Sequence, residues 1–135
     1  QAPAQSSLLH PFSENTMNIL LAVDGSAYTK KMLAYLATHE ELLGGTHTYT
    51  VLTVQAPLPA RARAALGKEV VDTYHAEEAE KILAPVCKFL GRHGVDAKRS
   101  VKVGAVGETI AKVADTGKFD LLVMGSHGTA RLLRW

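Results

Sequence analysis

The stretch NILLAVDGS, residues 18–26, sets the frame for the whole chain. Ile19 to Val23 is an unbroken aliphatic run with no polar alternation, the pattern of a strand buried on both faces of a parallel sheet. Asp24-Gly25-Ser26 then supplies turn chemistry, and Ser26 can cap a helix whose apolar residues Met32, Leu33, Leu36 and Ala37 recur at helical spacing. A buried strand followed by a capped amphipathic helix is the opening of a βαβ unit.

The same alternation continues outward. Thr46 to Val54, rich in Thr and Val, reads as a second strand. Gln55 to Gly67 carries two prolines and two arginines and reads as a long loop. Lys68 to His93 has the period of a long helix, with Ile82, Val86, Phe89 and Leu90 on one stripe and Pro85 as the expected site of a kink or an earlier boundary. Lys98 to Val103 alternates polar with apolar and suits an edge strand. Gly107 to Thr116 reads as a third helix, with Ile110, Val113 and Ala114 inward, and Phe119 to Met124 as a fourth strand buried on both faces. A glycine loop, Gly125 to Gly128, and a short tail to Trp135 complete the reading. The expected fold is α/β, an open parallel sheet with helices on both faces and spatial order 3-2-1-4.

Composition narrows the function. With 135 residues, 47% hydrophobic and 21% charged, residues 17–135 fit one globular domain. Residues 1–16 have the Pro, Ser and Gln content of a disordered tail or an added leader ahead of Met17. A net charge of +2 is too small for a duplex-binding footprint, so no nucleic acid is expected. The longest aliphatic run, Ile19 to Val23, is far short of the ~20 residues of a spanning helix, so no membrane is expected either. The single cysteine, Cys87, forms no internal disulfide, suits a small packed hydrophobe, and points to the cytoplasm. The six histidines include no pair three or four apart, which leaves no helical metal site.

Strand order 3-2-1-4 makes the first and fourth strands neighbours whose connections depart to opposite faces, and a crevice opens at their C-terminal ends. Two segments leave that crevice. Asp24-Gly25-Ser26 brings a carboxylate to a helix N-terminus, and Gly125-Ser126-His127-Gly128 lets backbone N–H groups approach an anion, for which phosphate is the best fit. Each also has a plainer reading, Asp24 as a helix cap and the glycines as a strand-to-helix turn.

Through LLAVDGS (20–26), GETIAKVA (107–114) and above all LLVMGSHG (121–128), the chain resembles the universal stress protein family. The resemblance implies an adenine nucleotide alpha hydrolase-like sandwich that binds ATP, with Mg²⁺, or another adenine nucleotide, and that forms a homodimer. It implies that Asp24 faces the adenosine, that the backbone at Ala22, Val23 and Val54 lines the adenine pocket, and that Met124, Gly125, Ser126, His127 and Gly128 approach ribose and phosphates. The family's phosphate motif is G-x2-G-x9-G-[S/T]; Gly125 and Gly128 match its first half, and the sequence reaches Trp135 before the second. Two expectations follow: weakened phosphate binding, and a missing fifth strand that leaves the fourth as an open edge which Leu132, Leu133 and Trp135 could help to cover.

No catalytic residue is expected. The sequence has no Walker lysine, no G-x-S-x-G elbow, and no second acidic residue beside Asp24 of the kind a phospho-receiver needs. The reading is a nucleotide-responsive stress module rather than a turnover enzyme, with slow ATP hydrolysis left open. The alternative is the same fold acting without nucleotide, through dimerisation or partner contacts.

Overall fold

The computed structural model describes residues 17–39, 47–126 and 129–134. In chain order the elements are β1 (Asn18–Ala22), α1 (Ala27–Ala37), β2 (Thr48–Gln55), α2 (Ala60–Leu66), α3 (Lys68–Arg92), β3 (Lys98–Val103), α4 (Val106–Thr116), β4 (Leu121–Ser126) and β5 (Thr129–Arg134). They form one sheet in the order β3-β2-β1-β4-β5. The first four of these strands are parallel, in the expected 3-2-1-4 order, with Leu20 level with Thr50 on one side and Leu122 on the other.

Side chains on successive strand residues point to opposite faces, and the core divides accordingly. Ile19, Leu21 and Val23 join Tyr49, Val51, Leu121 and Val123 beneath α1 and α3, which contribute Met32, Leu36, Ala79, Leu83, Val86 and Leu90. Leu20, Ala22, Leu52 and Leu122 face the other way, against Ile110 and Ala114 of α4. Two helices on one face and one on the other follow from the order of travel. The chain moves outward from β1 to β2 to β3, then crosses back to β4, and right-handed crossovers place the returning helix opposite. The continuous apolar runs of β1 and β4 are therefore the central strands.

Three expectations are corrected. Ala60–Leu66, inside the stretch read as a loop, is a helix. Pro57 and Pro59 drew the loop reading, but the segment between them and Gly67 is ARARAAL, composed of strong helix formers. Of the two outcomes expected at Pro85, the earlier boundary is the one corrected: helix α3 runs from Lys68 to Arg92 with Pro85 inside it. Its stripe Val71, His75, Ala79, Leu83, Val86 and Leu90 is buried on both sides of the proline, which sits on the exposed face. The sheet also does not stop at β4. The segment read as a tail folds back antiparallel, pairing Leu121 with Arg134 and Ser126 with Thr129. A fifth strand is thus present, supplied by residues 129–134, and β4 lies between β1 and β5 instead of forming an open edge.

The end of the sheet away from the crevice is tied by polar contacts. The Asn18 backbone N–H donates to Asp120 Oδ2 at 2.8 Å, its side-chain amide donates to the Gly117 carbonyl at 3.2 Å, and Asp120 N–H returns to the Asn18 carbonyl at 2.7 Å. Gly117 is required there because a Cβ would lie 2.4 Å from the Phe119 ring.

Two buried hydroxyls, those of Tyr49 and Thr53, have no hydrogen-bond partner among the described residues. Tyr49 is 2% exposed. Burial pushes its pKa up to about 12. An orphaned buried hydroxyl costs ~1–3 kcal/mol. Tyr49→Phe is therefore expected to leave urea-unfolding stability unchanged or raised by about 1 kcal/mol. It should also remove an alkaline loss of stability that begins near the ordinary tyrosine pKa of ~10. A loss of stability in Tyr49→Phe would mean that the hydroxyl is bonded.

Candidate functional site

Strand β1 delivers its last residues to the end of the sheet where its neighbours diverge. There Ala22, Val23 and Asp24 meet Leu52 and Val54 of β2, Met124 of β4, and Val106 and Ile110 of α4 around a cavity of about 120 Å³. All the lining side chains except Asp24 are apolar. The volume suits one ring system and falls short of the ~300–1,000 Å³ of a pocket that encloses a whole ligand. Cavities of about 510 and 440 Å³ lie elsewhere, but this one occupies the topological switch point at the carboxyl ends of the parallel strands.

Asp24 is held by its own turn. Its Oδ1 accepts hydrogen bonds from the Ser26 N–H at 2.9 Å and the Thr29 hydroxyl at 3.1 Å. Thr29 Oγ1 in turn accepts from the N–H groups of Asp24 and Gly25, at 3.2 and 3.1 Å. The buried Thr29 hydroxyl thus fixes both the backbone and the carboxylate of the turn. Gly25 has φ +80°, where other residues are strained, and a Cβ there would lie 3.1 Å from Ile82 Cγ1. Helix α3 therefore presses on the turn from behind.

Partial burial pushes the Asp24 pKa upward, but the hydrogen bonds from Ser26 and Thr29 outweigh it and hold the carboxyl below the ordinary carboxylate range. Asp24 is an anion at neutral pH, its carboxylate hydrogen-bonded by the Ser26 N–H, the Ser26 side chain and the Thr29 hydroxyl. Such a group accepts hydrogen bonds from hydroxyl or amino donors and repels phosphate. It is also a weak base, and no nucleophile lines the cavity with it.

Of the site residues expected from sequence, Ala22, Val23, Asp24, Val54 and Met124 converge on this one cavity. Gly125 and Ser126 are corrected from loop to strand: they end β4 and pair with Ala130 and Thr129. His127 and Gly128 lie outside the described residues. Arg61 and Arg63 sit on α2 and do not line this cavity. Sequence reading missed Thr29, Leu52, Val106 and Ile110. A hydroxyl five residues after the strand-end aspartate was the available signal for Thr29, and no local pattern marks the other three. No group of three or more potential metal ligands occurs among the described residues.

Thr29→Val keeps the shape and removes the hydroxyl, leaving two backbone donors without their acceptor. We expect a loss of about 1–3 kcal/mol in urea unfolding, with Thr29→Ser close to wild type. The acid limb of stability tests the carboxylate. Because the folded-state pKa is depressed, the Asp24 contribution is full above the unfolded value of ~3.9 and is lost as pH falls through the folded value. Asp24→Asn should flatten the wild-type stability profile below about pH 4.

Comparison with known proteins places this geometry. The model of the universal stress protein family matches residues 15–135. Among solved structures, a universal stress protein family protein from Burkholderia pseudomallei shares 20% identity, with a TM-score of 0.65 and 85% of each chain covered. One from Arabidopsis thaliana with AMP bound shares 18% identity, with a TM-score of 0.60, 82% of this chain and 78% of that chain. A universal stress protein in complex with cAMP shares 20% identity, with a TM-score of 0.51, 78% of this chain and 73% of that one. No curated protein sequence matches significantly. With the family model spanning nearly all of the chain and the sheet built in the expected order, the chain belongs to the universal stress protein family.

Proposed function

We propose that the chain binds an adenine nucleotide, ATP in the first instance, and acts as a nucleotide-responsive stress module rather than a turnover enzyme. The observation that carries this reading is the convergence of Ala22, Val23, Val54 and Met124 around one ring-sized cavity with the Asp24 carboxylate among its lining groups. A flat base enters the apolar part, and a ribose hydroxyl donates to the Asp24 carboxylate. The phosphates lie away from that anion, toward the end of β4. The AMP-bound and cAMP-bound structures of similar proteins support the choice of ligand class.

The phosphate end has less to offer than the motif implied, because Gly125 and Ser126 are already paired with β5. Affinity therefore comes mainly from base and ribose. Asp24 is the one acidic group lining the cavity, so Mg²⁺ would be held by the nucleotide's phosphates and water with at most one protein ligand. We further propose a homodimer through the outer edge of β5, where Leu133 is exposed, and a cytoplasmic location in keeping with the single thiol. No helix among the described residues is long and apolar enough to cross a membrane.

Calorimetry with ATP, AMP and adenosine, with and without Mg²⁺, tests the proposal. Wild type should bind all three within about tenfold of one another. Asp24→Ala and the mouth substitution Val106→Asp should each weaken ATP binding about tenfold or more, equivalent to ~1.4 kcal/mol. Phosphate release from ATP should stay at background. Absence of heat with all three ligands, or variants that bind like wild type, would refute nucleotide recognition at this cavity.

A further inference from the structure

The edge of the sheet opposite β5 has no cover. Among the described residues β3 pairs with β2 alone, so its outer backbone groups lack a strand partner. Five of its six residues are exposed, Val101 at 41% and Val103 at 47%, although helices pack on both faces of the sheet. The reason is a hollow on each side of the strand. On the α4 face, Ser100 and Lys102 join Thr109, Lys112 and Val113 around about 510 Å³. On the α3 face, Arg99, Val101 and Val103 join Asp72, His75 and Glu80 around about 300 Å³.

The two hollows differ in charge. On the α4 side Lys102 and Lys112 have no carboxylate within ion-pair distance among the described residues, and Lys98 shares their face by strand alternation. On the α3 side the one cation of the strand, Arg99, is already bound to Glu80 at 2.6 Å, beside the exposed valines.

From this arrangement we infer that the β3 edge receives an extended partner segment that alternates acidic with apolar residues and adds to the sheet as a further strand. Backbone hydrogen bonds would continue the ladder. Carboxylates on one side of the added strand would meet Lys98, Lys102 and Lys112, and apolar side chains on the other would cover Val101 and Val103. A second copy fits poorly. Antiparallel self-pairing of β3 would set Lys98 and Lys102 against the same lysines of its mate, and like charges opposite one another destabilise a ladder. The lysines that deter self-association thus select an acidic strand.

The probe is a fluorescein-labelled, end-capped heptapeptide of alternating glutamate and valine, read by anisotropy against the full chain. Its comparators are the lysine–valine peptide and a glutamate–valine peptide with proline at the centre. The acidic peptide should bind at least tenfold tighter than either comparator, and more weakly as salt is raised. Lys102→Glu with Lys112→Glu, both exposed, should reverse the preference between acidic and basic peptides with the circular dichroism unchanged. Equal binding of the proline peptide would overturn strand addition, since a merely charged groove ignores backbone donors. Equal binding of the acidic and basic peptides by wild type would overturn the charge selection, whatever the variants do. A dimer in light scattering that Val101→Lys dissolves would give the edge to a second copy and likewise overturn the proposal.

Discussion

The central strand is covered on both faces and paired on both sides, and the geometry of the site depends on that confinement. Ile19, Leu20 and Leu21 are 1% exposed or less. Parallel pairing with β2 and β4 fixes the register of β1 to within a residue, because a slip by one would exchange the residues under α1 and α3 with those under α4. Asp24 therefore leaves the sheet at a set height between Val54 and Met124.

Local chemistry then converts position into function. The Thr29 hydroxyl bonds two backbone donors and the Asp24 carboxylate, while Ile82 presses on Gly25 from helix α3. The turn is fixed from its own helix and from a distant one. An ionised acceptor beside an apolar, ring-sized space is the arrangement on which the proposed recognition of a base with an attached sugar hydroxyl rests. A carboxylate held below its ordinary range is also a weak base.

The two ends of the sheet are treated differently. At one end an antiparallel strand shields β4 and draws Gly125 and Ser126 into the ladder, which reduces what they can offer a phosphate. At the other, β3 keeps exposed valines, and lysines without an ion-pair partner among the described residues, between two hollows. The crevice at Asp24 and the open edge lie on opposite sides of β2, which contributes Leu52 and Val54 to the one and is the hydrogen-bonding neighbour of the other.

The sequence by itself determined the parallel order, because runs such as Ile19 to Val23 and Leu121 to Met124 carry no polar alternation and tolerate only interior positions. It also determined the strand-end aspartate and the apolar residues beside it, which follow directly from where those runs stop. It did not reveal α2, where flanking prolines masked the helix-forming ARARAAL, nor the antiparallel pairing of residues 129–134. Nor did it place Leu52, Val106 and Ile110 around Asp24. Those outcomes rest on contacts between segments far apart in the chain, and periodicity reports only which face of an element is apolar. What that face meets is settled when the elements pack.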